Sequence, residues 1–267
     1  MLKDITLGQY FPGYTVVHRL DPRTKLISVV FYIAALFTAK GYASYALMLL
    51  VLLLCVGLSR IHPAVMLRGL KPLVLILLLT GILNLFNTQG HVLVEFWIFR
   101  ITWEGLRNAG LMMLRVMMLV CGTLLLTYTT SPLAVTDGME RLLSPLNRLR
   151  VPVHDLAMIM SIALRFIPIL IEETDRIMSA QRARGADFET GSLLRRAKAL
   201  MPILIPLFVG AFRRADELAV AMECRCYHGG EGRTRMKVLR MQRRDWLALL
   251  FWCAVTAGVT TLTVYGL

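Results

Sequence analysis

Two arginine signatures, Gln181-Arg182-Ala183-Arg184-Gly185 and Ala221-Met222-Glu223-Cys224-Arg225-Cys226, carry the most suggestive side-chain chemistry in this chain. Arg184 and Arg225 stand 41 residues apart, and each follows an apolar run of helical length. A guanidinium at a helix end projects its planar fork of donors beyond the helix body, where it can seat in an acidic groove of another protein. The competing reading is that an arginine there complements the helix macrodipole, worth about 0.3–1 kcal/mol. Two arginines in the same context favour docking, because small neighbours such as Ala183 and Gly185 let the side chain enter a groove. Ala183, Arg184, Gly185, Cys224, Arg225 and Cys226 are therefore the expected partner-contacting residues.

Other chemistry is sparse. Cysteines stand at 55, 121, 224, 226 and 253, three of them in apolar runs where a thiol acts as a small hydrophobe. Cys224, Cys226 and His228 form Cys-x-Cys-x-His, but a structural zinc site wants four ligands at wider spacing, so no metal is expected. The phosphate-binding pattern Gly-x4-Gly-Lys-Ser/Thr does not occur, so the chain is not expected to bind ATP. Neither His-Glu-x-x-His nor Gly-x-Ser-x-Gly occurs. No catalytic residue and no cofactor is expected.

The elements that carry the arginines lie in a strongly apolar chain of 267 residues, 57% hydrophobic, with net charge +13 and mean hydropathy +0.62. Its charges are segregated: residues 26–59 hold only Lys40, and residues 72–94 and 246–267 hold none. Such stretches read as membrane spans. Five are expected: Leu26–Ala39, Tyr42–Leu58, Pro72–Phe86, Ala109–Thr129 and Trp246–Val264. The first and third are only about 21–23 Å long by helical rise. They need flanks such as Arg23, Lys25, Arg60, Arg68 and Lys71 to snorkel, or help from neighbours. Met1 to Asp21 is polar, so no cleavable signal is expected. Arg115 is the one charge inside a span, and two readings stand for it: a functional group, or a side chain that snorkels to the interface.

Loop charges set the expected orientation. The N-terminal segment carries Lys3, Arg19, Arg23 and Lys25, and Ser59 to Lys71 carries Arg60, Arg68 and Lys71. The two loops between are poorer in net positive charge. This alternation places the N-terminus in the cytoplasm, in a multi-pass protein of the plasma membrane. Residues 131–245 hold 19 of 30 basic and 13 of 17 acidic residues and fall on the cytoplasmic side. The expected fold is all-α and polytopic: a membrane domain over 1–130, a cytoplasmic helical coupling region over 131–244, and a last span over 245–267. The basic residues of that region also permit a weaker reading, anionic-lipid or nucleic-acid binding, but near-matched acidic charge argues against a polyanion site there. Membrane lipid is an expected partner only as the surrounding bilayer, and nucleic acid is not one.

Within the coupling region, Ser131-Pro132 reads as an N-cap and first helical residue of a helix to about Leu143. A long helix follows from Val153 to Arg184, with Pro168 as a kink and Gly185 as its stop. A second runs from Ser192 to about Glu223, kinked at Pro202 and Pro206. Each is apolar on most faces in its first part and amphipathic in its second. Met158, Ile162 and Phe166 on the first, and Ile203 and Leu207 on the second, are too apolar for water and are expected to form a platform for a membrane partner.

The opening Tyr10-Phe11-Pro12-Gly13 with His18-Arg19-Leu20-Asp21-Pro22-Arg23-Thr24-Lys25-Leu26 resembles the N-terminal signature of the transmembrane (T) component of energy-coupling factor transporters. Leu164-Arg165-Phe166-Ile167-Pro168 with Ala180 to Phe188, and Ala221 to Tyr227, resemble that family's two Ala-Arg-Gly segments, and the likeness runs over essentially the whole chain. It departs at Cys224 and Cys226, where the family usually has Ala and Gly, and Gly229-Gly230 is expected to take over the turn. The resemblance implies a non-catalytic scaffold between two cytosolic ABC-type ATPases and a small substrate-binding (S) membrane protein. Its two arginines would enter grooves on the ATPases, and its long crossed helices would carry the S protein, which delivers a vitamin or other micronutrient. Gly229 to Thr234 looks more like the shared, multi-substrate type. A dedicated cobalt, nickel or biotin component is the alternative. A self-contained secondary transporter is a weaker one, since the spans hold no acidic residue.

Overall fold

The computed structural model describes residues 10–87, 91–96, 99–149, 151–188, 192–229 and 238–265. Among these the chain is helical apart from one short antiparallel hairpin, β1 (Val92–Phe96) and β2 (Phe99–Thr102). The helices are α1 (Pro22–Thr38), α2 (Tyr42–Ser59), α3 (Pro63–Leu70), α4 (Val74–Asn87), α5 (Trp103–Thr129), α6 (Pro132–Leu143), α7 (Val153–Ala183), α8 (Leu193–Glu223) and α9 (Arg243–Val264). Two compact units form: Gly8–Gly138 with Leu239–Leu267, and Met139–Val238.

In the first unit α1 is the central element. Tyr32, Ala35 and Leu36 of α1 pack with Met48 and Val51 of α2, Met118 of α5 and Val255 and Val259 of α9. The Tyr32 hydroxyl donates to the Met118 carbonyl at 2.8 Å, so the one polar atom of this buried ring is satisfied. Gly122 of α5 makes room for that ring, because a Cβ there would come within 2.3 Å of it.

The apolar core is fastened at one end by the residues of the opening signature. Asp21 caps α1, accepting from Arg23 N at 3.0 Å, with Pro22 at the first helical position. Lys25 donates to His18 O, Thr129 O and Thr130 Oγ1 at 3.2, 2.8 and 3.2 Å, which satisfies the carbonyl end of α5. Lys25 is therefore buried, not snorkelling, and Arg23 is likewise tied down, donating to Leu239 O at 2.8 Å. Asp245, only 1% exposed, accepts from Asp21 N and Gln242 N at 2.8 Å each and joins α9 to the start of α1. Its importance is invisible in the sequence, where it looks like one more flanking charge.

Among the described residues five helices are long and apolar enough to cross a membrane: Tyr42–Ser59, Pro63–Phe86, Trp103–Thr129, Val153–Ala183 and Arg243–Val264. The number matches expectation, but the membership differs. α1 has 17 residues, about 26 Å of rise, one residue fewer than α2, so both are short for a bilayer core of about 30 Å and rely on their neighbours. The third span is longer than expected because α3, a 3₁₀ turn at Lys71–Leu73 and α4 run on as one element. α7 qualifies because its stretch from Val153 to Ile171 holds only two charges, Asp155 and Arg165. Arg115 adopts neither expected reading. Its Nη2 donates to Ala39 O at 2.7 Å and its guanidinium lies 5.5 Å from the Tyr45 ring centre, so it caps the carbonyl end of α1.

In the second unit α7 and α8 are each 31 residues long, and each accommodates its internal prolines without a break. Of the expected features, Gly230 to Thr234 lie outside the described residues.

Candidate functional site

The two arginine signatures end their helices in the same way. At the end of α7, Gly185 N donates to Arg182 O and Ala186 N to Gln181 O, both at 3.0 Å. At the end of α8, Cys226 N donates to Glu223 O at 2.8 Å and Tyr227 N to Met222 O at 3.1 Å. Each is a Schellman turn, in which a left-handed residue reverses the chain and its amides satisfy the last carbonyls. Gly185 has φ of 87° and Cys226 has φ of 55°. Arg184 and Arg225 each immediately precede the left-handed residue, and both are exposed.

The turn that ends α8 is made ahead of Gly229, which also has positive φ, 97°, while Gly230 lies outside the described residues. Cys226 takes the left-handed conformation itself, since the hydrogen-bonded turn fixes the position and two capped carbonyls compensate the Cβ crowding. All six expected contact residues, Ala183, Arg184, Gly185, Cys224, Arg225 and Cys226, are exposed at these two turns. Among the described residues no cluster of His, Cys, Asp and Glu suited to a metal occurs.

α7 and α8 pack on each other through their second halves. Arg214 Nη2 donates to Glu173 Oε2 at 2.5 Å, a charge-assisted bond between the helices. These partners are also 41 positions apart, like Arg184 and Arg225. Around them lies a cavity of about 340 Å³ lined by Ile162, Phe166, Leu170, Arg214, Leu218 and Met222. Met222 is also the residue whose carbonyl closes the second turn, so the helix packing reaches directly to that arginine's mount.

The expected platform residues are not the outermost ones. Ile203 is only 3% exposed, and Met158, Ile162, Phe166 and Leu207 are half-buried. Helical spacing puts 203 and 207 on one face, so the exposed apolar stripe of α8 is instead Met201, Ile205, Phe208 and Phe212, at i, i+4, i+7 and i+11. Phe208 is 61% and Phe212 69% exposed. On α7, Leu156, Ile159 and Met160 are exposed likewise.

Residues 13–236 match the family described as CbiQ, cobalt transport protein. The chain belongs to the CbiQ/EcfT family. Relatives named energy-coupling factor transporter transmembrane protein EcfT span nearly its full length. That of Thermosediminibacter oceani is 53% identical over 249 residues, 93% of this chain and 94% of its own. That of Clostridium kluyveri is 50% identical over 257 residues, covering 96% and 94%. That of Bacillus subtilis is 47% identical over 246 residues, covering 92% and 93%. Membership of the CbiQ/EcfT family makes this a membrane protein of an energy-coupling transporter.

Proposed function

We propose that the chain is the non-catalytic coupling scaffold of an ATP-driven importer of a vitamin or other micronutrient, and that Arg184 and Arg225 each dock one cytosolic ABC-type ATPase. The observation that carries this reading is the pair of equivalent helix ends, each presenting an exposed arginine just before a left-handed residue. A turn closed by two backbone hydrogen bonds holds its arginine on a rigid mount, so a push on the guanidinium is transmitted to the helix rather than absorbed by a loose tail. The Glu173–Arg214 bond and the apolar contacts beside it then couple α7 to α8.

The exposed apolar stripes of α7 and α8 are the platform for an exchangeable substrate-binding membrane subunit. Such faces are unfavourable in water and need lipid or another apolar surface against them. The N-terminus and the region 131–244 lie in the cytoplasm in this reading, following the basic loops. A second reading, a component dedicated to cobalt, draws on the description of the matching family; against it, the relatives spanning nearly the whole chain carry the general energy-coupling name.

Co-purification of the tagged chain from a membrane extract, with mass spectrometric identification of what accompanies it, tests the proposal. Two ATPase subunits and one small membrane protein are the expected companions. A chain that purifies alone while transport persists in the same cells would refute it.

A further inference from the structure

We propose that the cleft between α2 and α9 holds one anionic phospholipid, its phosphate at Arg244 and its acyl chain running down the helices. α2 and α9 touch at one end, where Ser44 Oγ and Thr263 Oγ1 are 3.3 Å apart and Leu47 packs by Gly258. At the other end a cavity of about 380 Å³ separates them, floored by α1 and α5. Its two lips are Leu54 and Leu58 on α2 and Leu247 and Phe251 on α9, all exposed and all apolar. A cleft with such lips opens onto hydrocarbon, which makes a lipid its occupant in preference to a soluble anion.

The chemistry of the cleft is graded along its length. Its polar end carries Lys25, Ser28, Thr129 and Arg244, and its deep end Tyr32, Leu52, Gly122 and Trp252. From Lys25 to Tyr32 along α1, or Arg244 to Trp252 along α9, is about 10–12 Å of helical rise. The polar end has unspent donors. Ser28 is 8% exposed and its Oγ has no partner, and Arg244 Nε is buried without one. Each such group, shut away from water, costs about 1–3 kcal/mol until something accepts from it.

Charge selects the headgroup. Lys25 Nζ is held by three neutral oxygens, and the carboxylate of nearby Asp245 is engaged by two backbone amides. Arg244 donates through Nη2 to Gln242 Oε1, another neutral acceptor. Counting the Asp245 carboxylate beside Lys25, Lys25 and Arg244 leave the mouth one positive charge in excess, and a phosphodiester neutralises it. A phosphate oxygen accepts from Arg244 Nε, and an ester carbonyl accepts from Ser28 Oγ. Basic clefts between membrane helices on the cytoplasmic side are the usual seats of acidic headgroups.

Native mass spectrometry of the detergent-purified full chain, titrated with phosphatidylglycerol or with phosphatidylcholine of the same acyl chains, tests this. One phosphatidylglycerol should be retained in preference to phosphatidylcholine. Arg244→Gln should weaken that retention about fivefold, the worth of one basic residue at a lipid surface. Ala248→Trp, which fills the cleft without touching a charge, should lower binding of both lipids. Arg243→Gln, on the neighbouring exposed residue outside the cleft, should change nothing. Equal retention of the two lipids would overturn the proposal, as would equal loss in the Arg243 and Arg244 variants or displacement of the lipid by inorganic phosphate alone. A photo-crosslinker at Phe251 that captures a partner protein and no lipid would overturn it too.

Discussion

Gly185 and Cys226 occupy the same place in two helix ends 41 residues apart, one with φ of 87° and the other with φ of 55°. The two hydrogen bonds that close each turn correspond, Gly185 N to Arg182 O with Cys226 N to Glu223 O and Ala186 N to Gln181 O with Tyr227 N to Met222 O, so the turn does not depend on glycine. A residue with a Cβ pays about 1–2 kcal/mol to stand there.

Cys226→Gly should therefore raise thermal stability by about 1 kcal/mol and leave partner binding intact. Cys226→Val, β-branched and poorly suited to positive φ, should lower stability and loosen the partner bound at Arg225. Differential scanning of the purified variants reads the first effect and co-purification the second.

Ile203 and Phe208 separate packing from docking on α8. Ile203→Glu buries a charge without a partner, and should destabilise the protein by several kcal/mol and reduce its yield in the membrane. Phe208→Glu alters an outward stripe and should leave folding and ATPase binding intact while abolishing substrate uptake. Normal uptake by the Phe208 variant would remove this stripe from the platform.

His18 gives the N-terminal segment a pH dependence. Its Nε2 lies 3.1 Å from Phe11 O and its Nδ1 2.7 Å from Thr15 Oγ1. The neutral ring serves both contacts, donating to the carbonyl and accepting from the hydroxyl. Burial lowers its pKa from the ordinary 6.5, opposed by the Phe11 bond and aided by the charge of Lys25. With the folded value depressed, this stabilisation is complete above about pH 6.5 and is lost as pH falls below it. Melting temperature should drop on acidification across that range, and His18→Gln should flatten the drop.

The proposed orientation can be read by labelling. A membrane-impermeant thiol reagent added outside cells should reach a cysteine at His91, in the loop after α4, and should miss one at Ser192, just before α8. The chain's own cysteines are replaced first. Outside labelling at Ser192 would reverse the orientation and remove the ATPases from the proposed sites.

The long helices were legible because their apolar runs, the Ser131-Pro132 start and the Gly185 stop are local signals. α6, α7 and α8 begin and end within a residue or two of expectation. The burial of Lys25 and Asp245 was not legible. Both depend on contacts across the chain, Lys25 with Thr129 and Asp245 with Asp21. α1 carries the expected span Leu26–Ala39, but the sequence alone does not show that Tyr32, Ala35 and Leu36 turn to the neighbouring helices while Val30 and Phe37 stay exposed. The outward face of α8 was missed for a related reason: with apolar residues on every side, sequence alone does not say whether Ile203 or Phe208 turns inward.

The central claim is that Arg184 and Arg225 are the two ATPase anchors. The most direct measurement is the ATPase stoichiometry of the complex purified through a tag on this chain, for the parent, each single alanine variant and the double. Truncating one partner of a buried charged pair at an interface commonly costs about 2–5 kcal/mol. Each single variant should therefore weaken the hold on one ATPase, and Arg184→Ala with Arg225→Ala should leave the chain in the membrane without either. Retention of both ATPases at the parent ratio in the double variant would contradict the account.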